Sequence, residues 1–355
     1  MSVNRPIWLE SVATRVETRL SEFLKDEQDR WSNLDTDLNA PLGELTRLVA
    51  AGGKRLRPAF CYLAFVGVGG DENSKQLLDT QAALELLHAS ALLHDDIIDG
   101  SLTRRGEPTS HTRYISKHSD SKWAGEARRF GEGAVILIGD LAFVYADQLM
   151  TGVNPMTAKV WNEMRIEVNI GQYLDLLGSA QRERDLNKAE RVCRYKSGKY
   201  TVERPLHLGA SLAAPERADV LLEQLSNFGL PLGDAFQMRD DVLGAFGDTS
   251  TNLTGKPIGD DLREGKPTPL LAMAFERATA AQREVLDQVG APQISHQSIS
   301  DIQQVIIETG ALEALESKIS ILVEQSMTAI RKSSLNEVAV TRLIELAEFV
   351  ASRKN

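Results

Sequence analysis

The chain has 355 residues, 42% hydrophobic and 25% charged, with a formal net charge of −10. This acidic balance argues against non-specific nucleic-acid binding, yet a local cluster of cations or a metal can still hold an anionic ligand. Two cysteines, Cys61 and Cys193, exclude a disulfide framework, and no apolar run approaches the roughly 18 residues of a membrane span.

The N-terminal MSVNRPIWLESVATRVE lacks the apolar core of a signal peptide, so the expectation is a cytoplasmic protein with no stable membrane insertion. From there onward helical periodicity dominates. Apolar residues spaced by three and four predict helices over 8–24, 43–50, 76–98, 128–150, 156–178, 186–212, 217–245, 268–288, 298–309, 311–332 and 337–352. Strand alternation with hairpin turns is nowhere evident. No linker rich in Gly, Pro or Ser divides the chain, so the reading is all-α, a single domain over 1–355. Segments 100–127 and 246–269 resist a helix assignment, and loops this long in a compact domain are usually functional or disordered. The second carries Lys-Pro punctuation and paired aspartates, which favours a functional loop.

The residues with chemical potential fall at the edges of these elements. GGKRLRP (52–58) sets Lys54, Arg55 and Arg57 between a glycine pair and a proline. Helix 76–98 runs into LLHDDIIDGSLTRRG, where Asp95 and Asp99 share a helical face and Arg104 and Arg105 follow. Carboxylates about 6 Å apart repel by roughly 3 kcal/mol at an effective dielectric near 20. A Mg²⁺ ion, which takes one or two carboxylates plus phosphate oxygens and water, converts that repulsion into attraction. A second acidic helix end, Asp240 and Asp241 in FQMRDD (236–241), makes the metal reading stronger than either does singly. RYKSGKYT offers Lys196 and Lys199, and GKPIGDDLREGKPT (255–268) offers Lys256 and Lys266. Arginine forks and lysine ammoniums suit diphosphate oxygens.

GGKRLRP, LLHDDIIDGSLTRRG, YKSGKY, FQMRDD and GKPIGDDLREGKPT, in that order, make the chain resemble a trans-isoprenyl diphosphate synthase of the polyprenyl synthetase family. The subgroup it looks most like is the bacterial geranylgeranyl diphosphate synthases. The resemblance implies a helical bundle of the isoprenoid synthase type with a central prenyl-chain tunnel. It implies three Mg²⁺ ions, with Asp95 and Asp99 on two and Asp240 on the third, gripping an allylic diphosphate (dimethylallyl, geranyl or farnesyl). Arg104, Lys196 and Lys256 would assist that grip. Lys54, Arg57, His88 and Arg105 would hold isopentenyl diphosphate (IPP), Gln237 with Lys196 would face the allylic cation, and Lys266 would close the loop over the site. A homodimer is implied as well.

One position departs from the family pattern. The second motif is often DDxxD, but here Gly244 stands in place of its third acid, and Asp248 and Asp260 are candidates to compensate. His94 has the reading of an ordinary helix residue. The apolar stripe behind Asp95 would line the tunnel, and at about 0.8 kcal/mol per buried CH₂ each five-carbon unit gains roughly 3–4 kcal/mol. The family's tunnel floor commonly lies four and five residues before the first aspartate, where this chain has the small Ala91 and Ser90. The tunnel is therefore expected to pass them and stop near Leu87, or at Phe143 or Tyr145, giving a C20 product with a longer one as the alternative. A terpene cyclase, a non-catalytic partner subunit and a metal phosphohydrolase are the competing readings.

Overall fold

The computed structural model describes residues 6–104, 106–247 and 259–351. Helices α1 (Ile7–Ser32), α2 (Asn39–Ala50) and α3 (Leu56–Gly67) lead to α4 (Lys75–Ile98), which ends in the first aspartate motif. Ser74 opens α4 by accepting from Leu77 N, which supplies one of the donors a helix start leaves unmatched. Leu84, Leu86, Leu87, Ala89 and Leu93 are all buried, so α4 is covered on several faces rather than along one stripe. Burying each such leucine contributes roughly 1.5–3 kcal/mol.

A short hairpin, β1 (Thr103–Arg104) with β2 (Glu107–Pro108), leads into α5 (Ser110–Asp120) and α6 (Ala127–Leu149). Helix α6 packs along α4, and Gly139 is what lets it approach His94. Helix α7 (Pro155–Gln181) begins at an Asn154 cap with Pro155 in the first turn, where a missing N–H does no harm. Helix α8 (Leu186–Val192) continues through a π-helical run, Cys193–Glu203, into α9 (Arg204–Ala213), and then α10 (Ala218–Phe246) ends in the second aspartate pair.

The π-helical run lies between α7 and α10, and glycines let it in. A Cβ on Gly171 of α7 would sit 2.5 Å from Lys196 Cα, and one on Gly233 of α10 would sit 2.6 Å from Gly198 O. Backbone contact of this closeness fixes where Lys196 emerges. The remaining helices are α11 (Asp260–Glu264), α12 (Pro269–Arg277), α13 (Ala280–Leu286), α14 (His296–Glu308), α15 (Ala311–Ile330) and α16 (Glu337–Ala351). One continuous core joins α1 through α16, from Leu9 to Val350, with Phe60 and Phe228 fully enclosed.

Four differences from the sequence reading have physical causes. Helix α3 was not anticipated because LRPAFCYLAFVG is apolar on every side and nearly all buried, so it shows no period. Helix α5 lies inside segment 100–127. Its buried face is His111, Tyr114 and His118, and the His118 and Trp123 rings close on Phe130 at 5.3 and 5.2 Å. Span 186–212 is three pieces, with the π-helical run in the middle. Span 268–288 breaks at Ala278, after which Thr279 and Gln282 form a capping box for α13.

Candidate active site

Asp95 and Asp99, on the last turn of α4, are each met by a lysine from elsewhere. Lys196 Nζ lies 3.1 Å from Asp95 Oδ1 and 2.6 Å from Asp175 Oδ2 of α7. Gln172, one turn before Asp175, donates to the same Asp95 oxygen at 3.1 Å. Lys266 Nζ lies 2.9 Å from Asp99 Oδ2, 2.8 Å from Glu264 Oε2 and 3.8 Å from Asp261 Oδ1. Burial disfavours the Asp95 carboxylate, but Lys196, Lys266 and Arg104 together outweigh it and hold its pKa well below the usual range. Asp99 goes the other way: burial, reinforced by the charge of Asp95, raises it despite Lys266. Lys266 is desolvated too, yet Asp261, Asp99 and Glu264 keep it firmly cationic.

The middle aspartate has its own partner. Arg104 Nε and Nη2 fork onto Asp96 Oδ1 at 2.9 and 2.7 Å, and Nη2 stands 3.6 Å from Asp95 Oδ2. That fork ties the β1 strand back to α4 and leaves Arg104 facing the site edge.

The second acidic pole lies on α10. Asp241 is buried, accepts from Gln237 Nε2 at 2.8 Å, and is pushed up to about 8 by burial and by the neighbouring charge of Asp261. Asp240 is half-buried beside it. Asp261, rather than the anticipated Asp260, lies against Gly244: a Cβ there would fall 2.6 Å from Asp261 Cγ. Lys266 therefore spans the two poles, touching Asp99 on one side and Asp261 on the other.

A third cluster joins α3 to the π-helical run. Arg57 donates to Thr201 Oγ1 at 2.9 Å and its guanidinium lies over the Tyr200 ring, 4.3 Å from the centroid. Among the described residues, the buried Arg57 Nε and Tyr200 hydroxyl have no hydrogen-bond partner. The His88 ring faces Tyr200 at 6.2 Å. Arg55, between Lys54 and Arg57, is structural: in a left-handed backbone position it binds Glu85, Glu17 at 3.1 Å and Val49 O at 2.7 Å. Ser90 and Leu87 are buried on α4, and Ala91 is partly exposed. Tyr145 packs edge-on against Phe23 of α1 at 5.4 Å, whereas Phe143 lies under the Arg165 guanidinium at 5.1 Å. Arg105, Asp248 and Lys256 lie outside the described residues.

A match to the polyprenyl synthetase family model covers residues 41–308. The chain belongs to the polyprenyl synthetase family. It is similar to a geranylfarnesyl diphosphate synthase of Aeropyrum pernix, 33% identical over 80% of this chain and 85% of the relative. An all-trans-nonaprenyl-diphosphate synthase (geranyl-diphosphate specific) of Rhodobacter capsulatus is 30% identical over 84% of this chain and 86% of its own. The crystal structure of a geranylgeranyl pyrophosphate synthase from Corynebacterium glutamicum, complexed with isoprenyl diphosphate and magnesium, superposes with a TM-score of 0.91. It is 35% identical, covering 97% of this chain and 99% of that one.

Sequence reasoning missed Asp96, Gln172, Asp175, Tyr200, Thr201 and Asp261. One signal was available for α7: Glu167, Gly171 and Asp175 recur every four residues on its buried face, an unusual place for acids. Among the described residues, no three His, Cys, Asp or Glu side chains converge as a metal-holding group. The donor set still fits Mg²⁺. Its ligands are hard carboxylates in small numbers, Asp99 Oδ2 is buried and meets Lys266 without forming a hydrogen bond, and Mg²⁺ draws its remaining ligands from phosphate and water.

Proposed function

We propose that the chain is a Mg²⁺-dependent prenyl diphosphate synthase, a single domain that condenses IPP head-to-tail with an allylic diphosphate. The observation that carries this reading is the pairing of two acidic poles with a separate cluster around Arg57 and Tyr200. Lys266 links Asp99 to Asp261 between the poles, and among the described residues Arg57 Nε and Tyr200 OH have no hydrogen-bond partner. One arrangement suits a diphosphate with metal and the other a diphosphate without it. The C. glutamicum structure, which holds isoprenyl diphosphate and magnesium, supports the assignment.

Asp95, Asp99 and Asp240 would hold Mg²⁺, three ions on the family pattern. Bound there, the metal supplies the positive charge that stabilises a departing diphosphate. Lys196 stays cationic beside Asp95, and Arg104 stands at the rim, so both face the same anion. Lys256, in the segment between α10 and α11, would join them and close the site with Lys266. Lys54, Arg57, His88 and Arg105 would hold IPP. Gln237 commits its amide nitrogen to Asp241, so its carbonyl oxygen is the end offered to the allylic cation. The allylic C–O bond breaks, the IPP double bond forms the new C–C bond, and the proton then lost goes to the released diphosphate.

We propose a C20 product, geranylgeranyl diphosphate, with the tunnel passing Ser90 and Ala91 and ending near Leu87 and Tyr145. Phe143 is engaged by Arg165 instead. Cys61 and Cys193, both free and buried, fit a cytoplasmic setting. Among the described residues, no helix is long and apolar enough to cross a membrane.

The outer faces of α6 and α7 carry Leu137 at 69% exposure, Val144 at 58%, Ile166 at 54% and Tyr173 at 63%. A second copy of the chain would cover this apolar surface. Sedimentation at twice the chain mass is the expected result, and a monomer at micromolar concentration contradicts it. The functional reading is tested by pyrophosphate release. Release should need Mg²⁺, IPP and an allylic diphosphate together. Steady release from one diphosphate alone points to a phosphohydrolase instead.

A further inference from the structure

The π-helical run Cys193–Glu203 serves two clusters at once. Lys196, near its start, reaches Asp95 and Asp175, while Tyr200 and Thr201, near its end, meet Arg57. A π turn closes its hydrogen bond on the fifth residue back, so residues five apart come close together on one side. Lys196 and Thr201 are such a pair, and Lys199 and Arg204 are another. In an α-helical register the second of each pair would be turned about 140° from the first.

The second pair is held from outside. The Arg204 N–H donates to Lys199 O, a bond of the π type, and the side chains of the same two residues both bind Glu167 of α7. Arg204 forks onto it, with Nε 2.7 Å from Oε2 and Nη2 2.6 Å from Oε1, and Lys199 Nζ takes Oε1 as well. Glu167 is buried, and Gly171, one turn on, is where the backbone of Lys196 presses against α7. Glu203 Oε2 stands 3.6 Å from Lys199 Nζ, so two cations face two carboxylates in this cluster. Among the described residues, the hydrogen bonds and ion pairs of Glu167 go to Lys199 and Arg204 and to neither substrate cluster.

We infer that Glu167 is a positioning residue for both substrates. By holding Lys199 and Arg204 to one carboxylate it keeps the run in its π register. That register presents Lys196 to the allylic diphosphate while Tyr200 and Thr201 back Arg57 at IPP. The two diphosphate sites are therefore coupled through one buried acid on α7 that contacts neither ligand. The inference rests on the prenyl synthase reading, which assigns those two ligands.

Calorimetric titration of the full chain reads the two sites separately, with IPP in the absence of metal and with inorganic pyrophosphate in the presence of Mg²⁺. Melting temperatures record the fold. Glu167→Gln keeps the shape of the side chain but leaves a buried cation uncompensated. It should weaken both affinities by about tenfold, within the scale of substitutions that act through a packed network rather than by contact. Backbone hydrogen exchange in the peptide spanning 193–204 should quicken as the Arg204–Lys199 bond loosens, at a temperature where helix content is unchanged. Glu167→Gln/Lys199→Met removes one charge of each sign and balances the cluster again. Its melting temperature should return toward wild type while both affinities stay low, a separation that a purely structural role would not produce. Wild-type affinity for either ligand in Glu167→Gln, unchanged exchange, or affinities that recover with the melting temperature in the double variant would each overturn the inference and leave the functional reading standing. A wild-type chain that binds neither ligand removes the functional reading and this inference together.

Discussion

Asp95 and Asp99 repel across one helical turn, and the structure answers with Lys196 against one and Lys266 against the other. The pair itself was legible, because spacing of four on a helix is a geometric statement. Lys196 and Lys266 were legible as site cations, but which aspartate each meets was not, because Lys196 arrives from the π-helical run and Lys266 from the end of α11. The same holds for Asp175, Gln172 and Asp261, whose roles arise from contacts between distant elements. Ser90, buried in α4 one turn ahead of Asp95, is proposed to act by size alone. Ser90→Phe should shorten the product by at least one five-carbon unit, read from the chain length of the alcohols after dephosphorylation. Unchanged length would move the tunnel floor away from α4.

At the scale of elements, the π-helical run is the part that periodicity could not reveal, since its spacing matches neither 3.6 nor 2. It is secured from outside by a buried ionic cluster in which Glu167 of α7 takes Lys199 and Arg204, with Arg204 Nε at 2.7 Å from Glu167 Oε2. His207 of α9 borders this cluster. Its Nε2–H donates to Leu222 O at 3.0 Å, while Nδ1 accepts from Arg204 Nη1 at 3.3 Å. Burial, and then the Arg204 charge, push its pKa down to about 3 from an ordinary 6.5. The folded state therefore keeps His207 neutral while the unfolded chain binds its proton below about pH 6.5. The stability that depends on it is fully present above that pH and is lost as pH falls toward 3, at no more than about 1.4 kcal/mol per pH unit. Denaturant unfolding between pH 6.5 and 4 should show a flatter stability slope in His207→Gln than in the wild type. Equal slopes would mean that His207 protonates without unfolding the cluster.

For the molecule as a whole, a net charge of −10 coexists with a site proposed to hold two diphosphates. The conflict disappears once the cations are located. Lys196, Lys266 and Arg104 stand among the acids of the two poles, and Arg57 lies apart from them over Tyr200. The bundle and the order of its long helices were readable from apolar spacing, and the family from five motifs. The closing of α3, α5 and α11 around them was not, because their buried faces are apolar throughout, aromatic and polar, or too short to show a period.

The most direct measurement is the product assay. Purified chain is incubated with Mg²⁺, labelled IPP and, separately, dimethylallyl, geranyl or farnesyl diphosphate, and the alcohols are sized by chromatography and mass after dephosphorylation. A dominant C20 alcohol is the expected result. No incorporation of IPP from any starter would contradict the account.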